Sequence, residues 1–425
     1  MPDTLSSWLE WLEALHPHEI EMSLERVRTV VARAGLDRNL PKLITVAGTN
    51  GKGSVVEYLT RSYFCAGFRT GSYTSPHLHV FNERVRINGV NASDTLLCDA
   101  FASIEQARGD TTLTYFEYTT LVAMRIFIDQ QVDVAILEVG LGGRLDAVNC
   151  WDTDCAVITS IAIDHEAFLG SDREGIGFEK AGIARANTPL VIGELDCPQS
   201  VIDHGEAIAA RLCRIDQDFS LDAPDADGAF LCTLPGGEHL RLPSPGLTGQ
   251  HQRRNAAVAA TVITLLSDVI PVKSADIRAG VASARVAGRM QQMTVADRQV
   301  FLDVAHNPAA AAMLAKTLAE HHGERSFVAV FAVMQDKDLA GLLDPLAPLV
   351  KSWLCTELPV PRALPASEAA AHIKLHYAPE KVLEFRQIDV ALERALSDPS
   401  FEGCQILIFG SFFTVAGALE VLSET

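Results

Sequence analysis

The stretch Ile44-Thr45-Val46-Ala47-Gly48-Thr49-Asn50-Gly51-Lys52-Gly53-Ser54 joins an apolar run to a glycine-rich turn that carries one lysine and one hydroxyl. A segment typical of a helix, 55–66, follows directly. Glycines let backbone N–H groups approach an anion, and the start of a helix adds partial positive charge. The order strand, turn, helix therefore predicts a phosphate-binding loop, in which Lys52 reaches the β/γ-phosphates of a nucleotide and Ser54 binds Mg²⁺.

This loop departs from the general P-loop pattern in two places. Gly53 separates Lys52 from Ser54, and Val46 occupies the position of the first glycine. A glycine turn that binds no ligand is therefore the alternative interpretation of the same residues.

The composition limits the classes of protein that need to be considered. A chain of 425 residues with 48% apolar residues is long enough for two globular domains. The net charge of −19 argues against nucleic acid as a partner, because phosphates would be repelled. Nine scattered cysteines without a Cys-x-x-Cys pair, and no signal peptide or membrane span, predict a cytoplasmic protein with reduced thiols.

Apolar, β-branched runs alternate with helical patterns along most of the chain. Because these runs are continuously apolar, they predict strands covered on both faces, and hence parallel α/β sheets. The predicted strands are 43–47, 132–139, 155–161, 189–192, 300–304, 327–333, 353–356 and 405–409. The segment 216–249, rich in Pro, Gly and Asp, predicts loops or an antiparallel edge. A new strand pattern near Arg298 places a domain boundary between residues 286 and 287.

Three of the predicted strands end in residues that can carry chemistry. The first ends in the glycine loop, the second in Glu138, and the third in Asp164-His165. Ligands bind at the carboxyl ends of strands in open parallel sheets, so these ends together predict a metal–nucleotide site. Taken alone, Glu138 could equally be a capping or ion-paired carboxylate, and His165 a hydrogen-bonded histidine at a strand end.

Two further residues could complete such a site. Ser75 precedes Pro76 on a stiff loop and could complete a Mg²⁺ shell, although most Ser-Pro pairs are only turns. Lys180 is predicted near the start of a helix, where a solvated lysine is the alternative. In the second half, Asp303 ends a strand and Arg289 lies in the predicted hinge.

Seven motifs in this order resemble the dihydrofolate synthase / folylpolyglutamate synthase family, relatives of the Mur cell-wall ligases. They are Gly-Thr-Asn-Gly-Lys-Gly-Ser (48–54), Thr-Ser-Pro-His-Leu (74–78), Glu-Val-Gly-Leu-Gly-Gly-Arg-Leu-Asp-Ala-Val-Asn (138–149), Asp-His-Glu-Ala-Phe-Leu-Gly (164–170), Glu-Lys-Ala-Gly-Ile (179–183), Asp-Val-Ala-His-Asn-Pro (303–308) and Gly-Ser-Phe-Phe-Thr-Val-Ala (410–416). Segments 12–26 and 113–118 are similar to the bifunctional bacterial subgroup, which also uses dihydropteroate.

The resemblance implies a fold and an activity. It implies a P-loop-type, mostly parallel ATPase domain that also binds the pterin (1–286) and a smaller Rossmann-like α/β domain that closes the cleft (287–425). It implies ATP-dependent addition of L-glutamate to dihydropteroate and to folates through an acyl phosphate. The expected partners are these small molecules, with no nucleic acid or membrane, and the expected state is a monomer. A Mur-type cell-wall amino-acid ligase and a non-catalytic nucleotide-binding regulator are the alternatives.

The resemblance also assigns residues. Lys52, His165 and Lys180 are expected to be catalytic, with Lys180 carbamylated. Those expected to bind ATP are Gly51, Lys52, Gly53, Ser54, Asn255, Arg289 and Asp303. Those expected to hold two Mg²⁺ ions are Ser54, Ser75, Glu138, His165 and Lys180. The pterin is expected at Ile20, Glu21, Met22, Thr114, Tyr115, Phe116 and Asp146. Three places depart from the family pattern, namely Ala287, Phe178 and Glu166-Ala167-Phe168.

Overall fold

The chain forms two compact units in this computed structural model, which describes residues 2–16, 20–322 and 326–423, with the side chains of 321 and 322 left undescribed. The first unit comprises Met1–Gly246 and Gln252–Arg285, and the second comprises Leu247–His251 and Val286–Thr425. The short segment Leu247–His251 therefore groups with the second unit, which the sequence pattern did not indicate. Residues 17–19 of the segment 12–26 lie outside the described residues.

The first unit contains eleven of the described strands and ten of the described α-helices. The strands are β1 Lys42–Ala47, β2 Thr70–Tyr73, β3 Val85–Ile87, β4 Val90–Asn91, β5 Val134–Glu138, β6 Cys155–Ile158, β7 Pro189–Ile192, β8 Arg211–Arg214, β9 Ser220–Leu221, β10 Phe230–Thr233 and β11 His239–Leu242. The helices are α1 Leu5–Glu13, α2 Glu25–Ala34, α3 Lys52–Cys65, α4 Asp94–Arg108, α5 Tyr115–Asp129, α6 Glu166–Leu169, α7 Arg173–Ala181, α8 Gln199–Ala207, α9 Gln250–Leu265 and α10 Ser274–Ser283. Short 3₁₀ turns cover Phe81–Arg84 and Ala147–Cys150.

Eight of these strands form one sheet in the order β4-β3-β2-β5-β1-β6-β7-β8. The strands from β2 to β8 in this order pair in parallel, and the β3–β4 hairpin adds an antiparallel edge. β1 lies between β5 and β6, with Val46 opposite Glu138 and Ala47 opposite Ile158. The carboxyl ends of these three strands therefore meet at one edge, as the parallel pattern predicts.

The central strands of this parallel sheet are apolar throughout because both of its faces are covered. β5, β6 and β7 are buried at every residue, and one continuous apolar core covers the sheet and its helices. Burial on both faces is what excludes an alternating pattern. The segment 216–249, predicted as loops or an edge, instead contributes a separate three-stranded antiparallel sheet in the order β11-β10-β9.

The second unit is a smaller α/β sandwich with a six-stranded sheet and its own core. Its strands are β12 Gln291–Val295, β13 Arg298–Asp303, β14 Phe327–Phe331, β15 Val350–Cys355, β16 Lys381–Glu384 and β17 Gln405–Phe409, in the order β12-β13-β17-β14-β15-β16. Its helices are α11 Pro308–His322, α12 Leu339–Leu343, α13 Ala366–His376, α14 Ile388–Ser397 and α15 Phe412–Ser423, with a 3₁₀ turn at Pro399–Phe401. Only β12 pairs antiparallel among these strands. The fold class expected from the sequence is confirmed.

None of the described helices has the length and apolar character needed to cross a bilayer. All nine cysteines, which lie within the described ranges, carry free thiols.

Candidate active site

The glycine loop leaves β1 and becomes the first turn of α3. Gly51 has φ of +87°, a left-handed conformation that favours glycine, and it precedes the first helical residue, Lys52. The Lys52 ammonium donates to the carbonyl oxygens of Gly48 (3.0 Å) and Thr49 (3.2 Å). The lysine thus lies folded over the loop, at the start of a helix, where an anion would be stabilised.

The end of β6 packs directly against this loop. Thr159 Oγ1 donates to the carbonyl oxygen of Asn50 at 2.7 Å, and Ser160 Oγ donates to the same oxygen at 2.9 Å. A Cβ atom at Gly48 would lie 1.9 Å from Thr159 Oγ1, so only glycine allows this approach. These contacts fix the loop to the sheet edge.

Glu138, at the end of β5, lies beside the loop from the other side. Its Oε2 accepts a hydrogen bond from the Ser75 backbone N–H at 3.3 Å. The same oxygen would lie 3.7 Å from a Cβ atom at Gly53. The structure therefore brings together three residues that are distant in sequence and were predicted for one site, namely Gly53, Ser75 and Glu138.

Ser54 and Asn255 are joined through Gln252, a residue to which the sequence assigned no role in the site. Gln252 is buried on α9, donates to Ser54 Oγ at 3.2 Å, and accepts from Asn255 Nδ2 at 3.1 Å. A Cβ atom at Gly51 would lie 3.0 Å from Asn255 Oδ1. Gln252 thus positions both a candidate metal ligand and a candidate nucleotide contact. A polar residue one helical turn before Asn255 was the available signal.

Lys180 differs from its sequence-based prediction. It lies in the last turn of α7 rather than near the start of a helix, and it is only 4% exposed, so it is not a solvated lysine. Burial, and secondarily the nearby charge of Lys52, lowers its pKa to about 7, whereas Asp164 and Asp146 oppose this shift. A Cβ atom at Gly143 would lie 3.0 Å from Lys180 Cα, so the glycine loop after β5 packs against this turn.

His165 and the residues after it occupy an exposed turn. His165 has φ of +53°, precedes the short helix α6, and donates its backbone N–H to Asp164 Oδ1 at 2.9 Å. Asp164 in turn acts electrostatically on Lys180. The departures from the family pattern nearby are also at the surface, with Phe168 48% and Phe178 42% exposed.

The residues predicted to bind the pterin fall into three segments of the first unit. Thr114 caps α5, with its hydroxyl accepting from the Glu117 N–H, and the Phe116 ring lies against Gly140, where a Cβ atom would approach within 2.7 Å. Asp146 accepts from the backbone N–H groups of Leu141 (2.8 Å) and Val148 (3.0 Å). Burial raises the pKa of Asp146 to about 6.

The segment 20–22 contains both exposed and packed side chains. Ile20 is exposed, whereas the Met22 methyl group reaches within 3.4 Å of a Cβ position at Gly142. The Glu21 carboxylate is paired with Arg26, and the His16 Nε2 lies 3.3 Å from it. This part of the first unit borders a cavity of about 760 Å³ that is lined by Met22, Ser23, Leu24, Glu25, Arg28, Thr29, Arg144 and Leu145.

Arg289 and Asp303 lie together within the second unit. Asp303 Oδ2 accepts from the Met290 N–H and Oδ1 from the Ala305 N–H, at 2.8 and 2.9 Å. Burial raises the pKa of Asp303, and the positive charge of Arg289 opposes that shift. The Arg289 guanidinium lies over the Phe412 ring at 5.4 Å. These contacts hold the predicted hinge arginine next to the end of β13.

The oxygen donors around the loop suit magnesium better than zinc. In the described part of the chain, no group of three or more His, Cys, Asp or Glu side chains is arranged to hold a metal. Magnesium, however, needs only one or two protein carboxylates and takes its other oxygens from water and phosphates. The Glu138 carboxylate, which lies next to Gly53, and the hydroxyl of the following residue, Ser54, therefore fit Mg²⁺ together with a nucleotide.

Comparison with known proteins extends these observations. The chain is 41% identical over 418 residues to the dihydrofolate synthase/folylpolyglutamate synthase of Escherichia coli (strain K12), covering 98% of this chain and 95% of that one. It belongs to the dihydrofolate synthase/folylpolyglutamate synthase family. The family described as Mur ligase, glutamate ligase domain, also matches residues 288–412. The chain is therefore an ATP-dependent ligase.

Solved structures agree with this assignment. E. coli FolC in complex with DHPP and ADP superposes with a TM-score of 0.93 at 39% identity, covering 100% of this chain and 99% of that one. The bifunctional folylpolyglutamate synthase/dihydrofolate synthase from Yersinia pestis CO92, complexed with AMPPNP and a Mn ion, gives a TM-score of 0.90 at 40% identity and full coverage of both chains. Nucleotide and divalent metal are thus bound by relatives with the same fold.

Proposed function

We propose that this member of the family adds L-glutamate to dihydropteroate, giving dihydrofolate, and to folates, giving folylpolyglutamates. The observation that carries the proposal is the meeting of Gly53, Ser75 and Glu138 at the carboxyl edge of the parallel sheet. This edge is where a nucleotide and its metal bind in sheets of this type. The relatives named for both synthase activities support the choice of substrates.

A carboxylate must be activated before an amine can attack it, because oxide is a poor leaving group. In the proposed reaction a substrate carboxylate oxygen attacks the γ-phosphorus of ATP, the bond to ADP breaks, and an acyl phosphate forms. The amine of L-glutamate then attacks the acyl carbon, loses a proton, and expels inorganic phosphate as the amide bond forms. Atoms and charge balance with one ATP consumed per glutamate added.

The first step brings two anions together, so cations at the glycine loop are needed. The Lys52 ammonium lies over the loop carbonyls and would move to the γ-phosphate when ATP binds. Bound magnesium would neutralise charge on the phosphates. The residues assigned to the two ions are Ser54, Ser75, Glu138, His165 and Lys180, and Lys180 is assigned to the second ion.

Lys180 is assigned as a carbamate. An ammonium group would repel a metal ion, but a neutral amine can attack CO₂ and release a proton, leaving an anionic carbamate. The lowered pKa, about 7, means that a large fraction of the amine is neutral at physiological pH. Burial beside Gly143 keeps this nitrogen away from bulk water.

The remaining assignments follow the family motifs. Contacts with ATP are assigned to Gly51, Gly53, Asn255, Arg289 and Asp303. Pterin contacts are assigned to the segments 20–22 and 114–116 and to Asp146. We also propose a cytoplasmic location, which the free thiols support, and the absence of a nucleic-acid partner, which the net charge of −19 supports. A monomeric state and the absence of membrane partners are further parts of the proposal.

The test is phosphate release that depends on L-glutamate, measured first with dihydropteroate and then with tetrahydrofolate. Release with both substrates supports both activities, and release with only one narrows the proposal to that synthase. Turnover with a cell-wall precursor instead would favour a Mur-type ligase. ATP binding without turnover on any of these acceptors would favour a nucleotide-dependent regulator.

A further inference from the structure

Arg26 connects two segments that are far apart in sequence. This arginine lies in the first turns of α2, and its side chain is 19% exposed. One guanidinium nitrogen, Nη1, pairs with the Glu21 carboxylate, and the other, Nη2, donates to Glu117 Oε1 at 2.9 Å. Glu117 is separated from Arg26 by 91 positions, and its side chain is only 5% exposed. The guanidinium therefore bridges a surface loop and the interior.

Glu117 extends this connection to the start of α5. Its Oε2 accepts from the Thr114 backbone N–H at 2.7 Å, and its own N–H donates to the Thr114 hydroxyl at 3.2 Å. This reciprocal pair is a capping box, which satisfies two backbone N–H groups at the start of the helix. The conformation of residues 114–116 is thereby tied to the carboxylate that Arg26 holds.

Arginine is suited to this task in a way that lysine is not. The planar guanidinium presents its two Nη groups in a fixed fork and can bridge two carboxylates at once. A buried carboxylate that loses its cation is left desolvated and uncompensated. Arg26 therefore both neutralises Glu117 and fixes the distance from Glu117 to Glu21.

We propose that Arg26 is a positioning residue, which holds the segment 20–22 against the segment 114–116 so that both line one binding surface for the pterin. The inference rests on the proposed function, because the pterin is assigned to these segments only there. It adds a structural task for the Glu21 carboxylate, namely its pair with Arg26, to the place of Glu21 in the pterin-binding segment.

The position of the segment 114–116 matters for the chemistry. The Phe116 ring lies against Gly140, two residues beyond Glu138. A shift of this segment would therefore move the pterin relative to the glycine loop. Small displacements of a reacting group can cost about 10²-fold in rate.

The variants Arg26→Met and Arg26→Lys test this inference, with Arg125→Met as the matched control. Arg125 lies near the other end of α5 and pairs within the helix with Asp129, so its loss removes an ion pair without touching either segment. We expect KM for dihydropteroate to rise about tenfold in both Arg26 variants. KM for ATP should stay within about twofold, and Arg125→Met should match the wild type in both constants.

The variant Arg26→Lys distinguishes the effect of the positive charge from the effect of bridging Glu21 and Glu117. Lysine retains the positive charge beside Glu117, so we expect a melting temperature close to that of the wild type. Because lysine cannot bridge both carboxylates at once, KM for dihydropteroate should remain raised. If Arg26→Met fails to fold, Arg26→Lys carries the test. A folded Arg26→Lys variant with the wild-type KM for dihydropteroate would overturn the inference, as would an equal rise in both KM values.

Amide hydrogen exchange provides a second measurement that needs no turnover. Peptides covering 20–22 and 113–118 should exchange faster in the Arg26 variants than in the wild type, and at the wild-type rate in Arg125→Met. Unchanged exchange in both segments would overturn the inference. Absence of glutamate-dependent turnover in the wild type would contradict the proposed function instead, and exchange would then still decide whether Arg26 joins the two segments.

Discussion

The Ser75 backbone N–H donates to Glu138 Oε2 at 3.3 Å, joining the loop after β2 to the end of β5. This contact places the Ser75 backbone beside the Glu138 carboxylate, whose Oε2 also lies next to Gly53 in the glycine loop. Because β2 and β5 are neighbouring parallel strands, the sheet itself fixes the spacing between the two residues. We propose that Ser75 and Glu138 are ligands of the same metal ion.

Glu138→Gln should abolish most turnover while leaving the fold intact. Glutamine keeps the shape of the side chain and can still accept from Ser75, but it removes the negative charge. We expect turnover to fall by about 10²-fold or more, with a higher requirement for Mg²⁺. Steady-state kinetics at several Mg²⁺ concentrations measures this. Glu206→Gln, an exposed position on α8, is the control; an equal effect at both positions would count against a metal role for Glu138.

Lys52→Ala should lose on the order of 10²-fold or more in turnover, because removing one preorganised charge-stabilising donor costs about 2.7–4 kcal/mol of barrier. Lys42→Ala is a matched control. Lys42 is the first residue of β1, the strand that leads into the glycine loop, and it pairs with Asp154 at 3.1 Å at the end of that strand away from the loop. Turnover of the control should stay close to that of the wild type. Near-wild-type turnover in Lys52→Ala would contradict the assignment.

The activity should depend on CO₂ and on pH through Lys180. Below a pKa of about 7 the amine is protonated and cannot attack CO₂, so turnover should fall as the pH decreases through 7 and recover as it rises. Enzyme prepared without CO₂ should regain activity when bicarbonate is added. Lys180→Ala should be inactive and partly restored by acetate or formate, which supply a carboxylate. A bicarbonate-independent wild type with no carbamate in its mass spectrum would refute this role.

Arg289→Met should weaken the use of ATP specifically. The arginine lies over Phe412 and beside Asp303, at the end of a strand of the second unit. We expect KM for ATP to rise about tenfold, and KM for dihydropteroate to change by less than about twofold. Arg386→Met, at an exposed position of the same unit, provides the comparison. If KM for ATP is similar in Arg289→Met and Arg386→Met, the assignment of Arg289 to the nucleotide site is wrong.

Most of the inner strands of the sheets were predictable because their apolar runs are continuous, whereas the inner strand Thr70–Tyr73, which is buried but not apolar throughout, escaped prediction. Pro189–Ile192 and Gln405–Phe409 were predicted with the bounds that the structure has. Strands at the sheet edges escaped prediction, among them Arg211–Arg214 and Lys381–Glu384, since they are polar and only partly buried. The apolar runs also did not predict the order of strands within each sheet, because that order depends on tertiary packing.

In the candidate site, too, some features follow from the local sequence and others depend on tertiary packing. Glu138 was predictable because an apolar strand ends on a carboxylate. The burial of Lys180 was not, because it depends on the glycine loop around Gly143 packing against the last turn of α7. Local patterns describe neighbours in sequence, whereas the Ser54–Gln252 contact and the Arg26–Glu117 pair join residues 198 and 91 positions apart.

The central claim is that a substrate carboxylate is activated as an acyl phosphate, and isotope transfer tests it most directly. Dihydropteroate labelled with ¹⁸O in its carboxylate should be incubated with the protein, ATP, Mg²⁺ and L-glutamate. If the carboxylate attacks the γ-phosphorus, one ¹⁸O atom should appear in the inorganic phosphate for each dihydrofolate formed. Phosphate released without the label, in a reaction that forms dihydrofolate, would contradict the account.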